Sequence, residues 1–154
     1  MLSELTHIKN FIQLTSSVGT AGQPRAEDFA DIASAGYNVV INLAMADSEH
    51  ALPNEGNLVA ELGMTYIHLP VNFQTPQVTD VAQFIRLMRG LDVDKVFVHC
   101  VLNLRVSAFM YHYLKLEKNY SDPDARSPIL EKWAPHMDDV WAGLVGWQRE
   151  DIFS

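Results

Sequence analysis

Apolar residues along the chain fall into two kinds of run that alternate. "YNVVINL" (37–43) and "KVFVHC" (95–100) are nearly continuous, β-branched stretches, as expected of strands buried on both faces. "MTYIHLP" (64–70) predicts a second inner strand. Between the strands the period changes to that of a helix. "PRAEDFADIASAGYN" has Pro24 near its start and Gly36 after its last turn, and "NEGNLVAELG" predicts a further helix. Val78, Val81, Phe84, Ile85 and Met88 share one helical face that Gly90 closes. "FIQLTSSVGTAGQP" begins as a short strand and breaks at Gly19, Gly22 and Pro24. "SAFMYHYLKLEKN" predicts a helix, and "SPILEKWAPHMDDVWAGLVGW" one or two more, interrupted at Pro135. Strands separated by helices imply an α/β fold with a central, mostly parallel sheet flanked by helices.

No repeat or linker divides the 154 residues, and 48% of them are apolar, so a single domain over 1–154 is expected. A formal net charge of -8 disfavours nucleic acid and anionic membrane as partners. The sequence has no run of about 18 apolar residues that would span a bilayer. "MLSELTHIKNFIQL" lacks the pattern of a signal peptide, so a cytoplasmic location is expected, although a chain trimmed of a leader would read the same. One cysteine excludes an internal disulfide and a multi-cysteine zinc site. The six histidines form no pair or carboxylate cluster at ligand spacing, so neither a metal nor another cofactor is expected.

The single cysteine stands in "VFVHCVLNLRVSAF", at the end of the most apolar strand and before a helix. A loop in that place turns unpaired N–H groups and the positive end of a helix dipole toward one spot, which favours an anion and the thiolate form of Cys100. Arg105 brings a planar fork that matches a tetrahedral oxyanion. Ser107 is placed to donate a hydrogen bond to the thiolate, and His99 to order the loop from behind. The competing view makes Cys100 a small core residue and Arg105 a solvated one. The strand-loop-helix context favours the anion loop.

"VHCVLNLRVSAF" resembles the HCxxxxxR-Ser/Thr motif of cysteine-dependent protein tyrosine and dual-specificity phosphatases. "AGQPRAEDFADIASAGYNVVINLA" followed by "LGMTYIHLPV" is similar to the bacterial DUF442 branch of that superfamily. The resemblance covers nearly the whole chain. It implies a phosphatase-like fold, attack of Cys100 on phosphorus, and a phosphocysteine that water hydrolyses. It further implies that Arg105 and the amides of Val101, Leu102, Asn103 and Leu104 hold the phosphate oxygens, with His99 and Ser107 in support. The partner would be a phosphorylated substrate or a small oxyanion.

The motif is also altered. Only "VLNL" separates Cys100 from Arg105, giving CX4R where the common motif has CX5R, while Ser107 keeps its usual distance. Either Val106 stands in the usual place of the arginine, or one residue is deleted and another inserted after it. The usual glycine is missing, and Asn103 is the residue able to take a bend with positive φ. Asn72 occupies the place of the usual general-acid aspartate in "LPVNFQTPQ"; an amide has no proton to give. Asp47 in "LAMADSEH" is the best substitute carboxylate, ahead of Asp80. Two alternatives to a working phosphatase follow: an oxyanion-binding module with weak or no turnover, and a rhodanese-like sulfurtransferase, a class that often carries CX4R spacing. Tyr111, Tyr113, Trp133, Trp141 and Trp147 are expected in the core rather than on an aromatic partner surface. Trp147 and the following "QREDIFS" offer a candidate homodimer contact, with oligomeric state left open.

Overall fold

A computed structural model describes residues 4–153. Its central strand is β5 (Val96–His99), buried along its whole length. β2 (Val18–Ala21) and β3 (Val39–Asn42) flank it, both parallel to it. β4 (Thr65–His68) adds to β3 in parallel, and β1 (Ile12–Gln13) closes the other edge antiparallel to β2. The order is therefore β1-β2-β5-β3-β4, an α/β fold with a mostly parallel sheet and flanking helices.

Side chains alternate across the pleat and feed two separate cores. Val40 and Phe97 face α1 (Asp28–Ser34) and α2 (Glu55–Glu61), meeting Phe29, Ile32 and Val59. Val39, Ile41, Val96 and Val98 face the other way, onto the cluster built by α3 (Val78–Gly90) and α4 (Leu104–Leu116), including Phe84, Ile85 and Phe109. α5 (Asp122–Ala125), α6 (Pro128–Trp133), α7 (Asp139–Val145) and α8 (Arg149–Ile152) complete that second layer. Pro135 sits in a short 3₁₀ turn, Ala134–His136, between α6 and α7, where the sequence placed an interruption. Tyr111, Tyr113 and Trp141 are buried, and Trp133 and Trp147 lie half-buried against the same cluster.

Two expectations about strands are corrected. Gly19 does not end a strand but lies inside β2, where a Cβ would stand 2.5 Å from the Tyr37 hydroxyl oxygen; glycine is there for close packing, which a breaker rule cannot distinguish. β4 is an edge strand and not an inner one, and Thr65 on it is exposed. Its apolar residues cover only the faces of the sheet, and sequence pattern does not reveal strand order. α1 begins at Asp28, later than Pro24, because residues 25–28 form a turn in which Asp28 Oδ2 accepts from the Arg25 amide at 2.8 Å. The carboxyl ends of β3, β4 and β5 open toward one side, the usual place for a ligand in a parallel sheet.

Candidate active site

The residues after β5 form a short loop whose carbonyls are held from behind. The Cys100 carbonyl lies 3.2 Å from His99 Nδ1, and since a carbonyl can only accept, that nitrogen donates. The Val101 carbonyl accepts from the Gln23 amide at 2.9 Å, and the Leu102 carbonyl from Asn10 Nδ2 at 2.9 Å. Gly22 permits the approach: a Cβ there would lie 2.4 Å from the Val101 oxygen. The described chain has no cis peptide, so each N–H opposes the carbonyl of its own peptide. The amides of Val101 and Leu102 therefore point away from His99 and Gln23.

Asn103 makes the bend expected of it, with φ +70° immediately before α4. Its Nδ2 donates to the Asn10 carbonyl at 2.9 Å and to Thr20 Oγ1 at 3.1 Å. Asn103→Gly keeps the bend and loses these bonds. Asn103→Ala loses them and adds left-handed strain of about 1–2 kcal/mol, so the alanine variant should unfold at lower urea than the glycine variant. Equal midpoints would show that the bend carries no strain.

Arg105 lies in the first turn of α4, only 6% exposed. Its Nη1 donates to the Val71 carbonyl at 2.9 Å, and its guanidinium carbon stands 5.5 Å from the centroid of the Phe73 ring. Its buried Nε has no protein acceptor among the described residues. Cys100 and Arg105 line one cavity of about 450 Å³, together with Val101, Leu102, Leu104, Asp47 and Asn72. Val106 is fully buried in the core. Arg105, and not Val106, lines the cavity beside Cys100.

Behind the loop, His99 Nε2 meets Glu55 Oε2 at 2.7 Å, with both side chains buried. Burial alone would raise the Glu55 carboxyl. Hydrogen bonding and charge attraction from His99, with hydrogen bonds from Gln23 and Tyr66, outweigh burial and hold it below the usual glutamate range. Tyr66 is pushed up to about 12 by its own burial and by the nearby Glu55 carboxylate. A depressed folded-state value means that the unfolded chain takes up protons first. The Glu55 contribution to stability is thus complete above the unfolded value of about 4.3 and is lost as pH falls through the folded one. Denaturant midpoints between neutral pH and pH 3 should fall further for the native chain than for Glu55→Gln; parallel curves would exclude this source of acid lability.

A profile for a dual-specificity protein tyrosine phosphatase domain, of the type fused to NAD+ kinase, matches residues 10–129. The chain belongs to the dual-specificity and protein tyrosine phosphatase family. In the solved structures, a DUF442 protein of Shewanella putrefaciens CN-32, classed as a candidate phosphatase, is 34% identical with a TM-score of 0.82, covering 92% of this chain and 91% of its own. The catalytic core of a yeast (S. cerevisiae) phosphatase named for PP-IP, SIW14, solved with citrate, shares the fold at 14% identity and a TM-score of 0.74, over 94% of this chain and 89% of its own. TpbA of P. aeruginosa, solved with phosphotyrosine, does so at 13% and 0.65, over 94% and 92%. No curated protein matches the chain significantly. The sulfurtransferase alternative is not the family to which this sequence belongs.

In this phosphatase-family chain the remaining candidates are distributed unevenly. Asp47 is exposed at the cavity rim, in the loop after β3, and Glu49 joins it there, a second carboxylate that the sequence reading passed over. Asp80 lies elsewhere in function: its Oδ2 accepts from the Gln77 amide at 2.9 Å and caps α3. Asn72 is at the rim, but its Oδ1 accepts from the amides of Gln74 (2.9 Å) and Thr75 (3.3 Å), so it organises its own loop. The Ser107 hydroxyl differs from the sequence expectation: it donates to the Leu104 carbonyl at 2.7 Å, bracing the first turn of α4, and not to Cys100. His68 Nε2 is 2.7 Å from the Ala44 carbonyl, a satisfied structural histidine.

Glu55, Gln23 and Phe73 were missed. Each reaches the site from a distant part of the chain, and only the "GQP" stretch carried a hint. The fold also makes a histidine-carboxylate cluster that spacing did not show, with His7 Nε2 3.3 Å from Asp28 Oδ1 and 3.1 Å from Asp31 Oδ2. The Arg25 guanidinium already occupies that Asp28 oxygen at 2.9 Å.

Proposed function

We propose that this chain hydrolyses phosphate monoesters, of protein phosphotyrosine or of small aryl phosphates, through Cys100. The observation that supports this most is Arg105: a buried guanidinium, braced on Val71 and Phe73, lining the same cavity as Cys100 with its Nε unmatched by any described protein acceptor. A planar guanidinium fork lining the cavity beside the cysteine suits a tetrahedral oxyanion there. Two proteins that share the fold were solved with phosphotyrosine and with citrate, both of which carry oxyanion groups.

In the first step the Cys100 thiolate attacks phosphorus; the P–S bond forms as the ester P–O bond breaks, and Asp47 gives its proton to the leaving oxygen. Water then attacks phosphorus and gives a proton to the Asp47 carboxylate. The P–S bond breaks, inorganic phosphate leaves and the thiolate returns. Arg105 and the loop amides hold the equatorial oxygens through both steps.

A second function, oxyanion binding with little turnover, is favoured by Asn72, whose amide has no proton to donate and whose oxygen is committed to its own loop. p-Nitrophenyl phosphate hydrolysis from pH 5 to 8, run beside phosphate protection of Cys100 against iodoacetamide, separates the two. Turnover with protection supports the phosphatase; protection alone supports the binding module; neither removes both. With an alkyl phosphate, Asp47→Asn should lose about 10²–10⁴-fold in kcat, with a much smaller loss on the p-nitrophenyl ester, and the basic limb of the pH profile should disappear. An unchanged alkyl phosphate rate would remove Asp47 from the acid role.

A further inference from the structure

We propose that Glu55 is a positioning residue for the cysteine loop, a single buried carboxylate that fixes two successive loop peptides. The proposal rests on the oxyanion-loop function above. Oε2 of Glu55 meets His99 Nε2 at 2.7 Å, and Oε1 accepts from Gln23 Nε2 at 2.8 Å. Those two partners are the residues that reach the loop: His99 Nδ1 holds the Cys100 carbonyl, and the backbone N–H of Gln23, whose side chain Glu55 anchors, holds the Val101 carbonyl at 2.9 Å. The two oxygens of one carboxylate thus control the tilt of the peptides that carry the Val101 and Leu102 amides.

The arrangement is well constrained. Glu55 is 3% exposed and His99 0%, so bulk solvent reaches neither side chain. Glu55 opens α2, which lies close to β4 because Gly56 faces Tyr66; a Cβ on Gly56 would stand 3.1 Å from the Tyr66 ring. Tyr66 in turn accepts from Asn42 Nδ2 at 3.0 Å, tying the network to the end of β3. An acid on the opposite face of the sheet from α4 is therefore connected to the phosphate side of the loop through two independent arms. Neither arm brings Glu55 to the cavity, whose lining does not include it. It acts on geometry and exchanges no proton with substrate.

The test compares the native protein, Glu55→Gln, Gln23→Ala and the double variant by p-nitrophenyl phosphate kinetics and by phosphate protection of Cys100 from iodoacetamide, each well below its melting midpoint. A small misplacement of a site costs about 10²-fold, so each single variant should lose kcat on that scale and need more phosphate for protection. Because both substitutions disturb the same Glu55–Gln23 bond, the double variant should lose no more than the worse single one. Native kcat and protection in a folded Glu55→Gln, or losses that multiply in the double variant, would overturn the proposal. If Glu55→Gln fails to fold, Gln23→Ala decides alone, and native behaviour there overturns it. A native protein with neither turnover nor protection would remove the proposed function and this role together, an outcome distinct from variants that merely match an active native protein.

Discussion

Cys100→Ser is expected to bring p-nitrophenyl phosphate hydrolysis down to background, a loss on the order of 10⁶-fold, the scale seen when a covalent nucleophile is removed from an unrelated enzyme. The size of the effect follows from the surroundings of residue 100. Sulfur is the stronger nucleophile, and a serine hydroxyl needs a base to become one. Among the described residues, no imidazole lines the cavity to serve. Both nitrogens of His99 are engaged, one at 3.2 Å from the Cys100 carbonyl and the other at 2.7 Å from Glu55. Serine differs little from cysteine in shape, and the loop is held by its backbone carbonyls, so phosphate affinity should survive the change. Isothermal titration with phosphate, beside the rate assay, would therefore show binding without turnover. Substantial turnover by the serine variant would sink the phosphocysteine route.

How far the sequence revealed this site depends on which contacts are local. Asn103 shows the strength of local reasoning: with no glycine between Cys100 and Arg105, a bend required a residue tolerant of positive φ, and the structure gives Asn103 φ +70°. The apolar runs of β3 and β5 and the spacing of α3 were equally legible, because burial on two faces or on one stripe writes its period directly into the chain. What could not be seen is contact at long separation. Glu55 touches His99 across 44 residues, and Arg105 reaches Val71 across 34. Nothing in "NEGNLVAELG" distinguishes that acid from an ordinary first-turn glutamate. Gly19 and β4 failed for a related reason: a glycine required for packing against Tyr37 resembles a strand breaker, and an edge strand packed on its faces resembles a central one. Ser107 was misplaced because its hydroxyl has a nearer acceptor, the Leu104 carbonyl of its own helix.

Arg105→Lys should lower kcat by about 10²–10³-fold, the usual cost of one well-placed oxyanion donor. Lysine keeps the charge and loses the fork, the bond to the Val71 carbonyl and the stacking on Phe73. If the fork engages the oxygens most strongly as charge builds in the transition state, kcat should fall by more than KM rises. A lysine variant with native kcat/KM would show that the CX4R loop does not use the arginine as a bidentate clamp. Stability should move the other way. In the free protein the Arg105 Nε is buried without a protein acceptor, a cost of about 1–3 kcal/mol, while the aliphatic stem packs usefully. Arg105→Met preserves most of that packing and removes the unmatched donor, so it should be inactive and yet melt at or above the native temperature. Phosphate should raise the native midpoint and leave that of the methionine variant unmoved. A clear loss of stability in Arg105→Met would mean that the arginine is held chiefly as a structural brace on Val71. Inactivity combined with native or higher stability would mean that the fold carries it at a cost, for the sake of the anion.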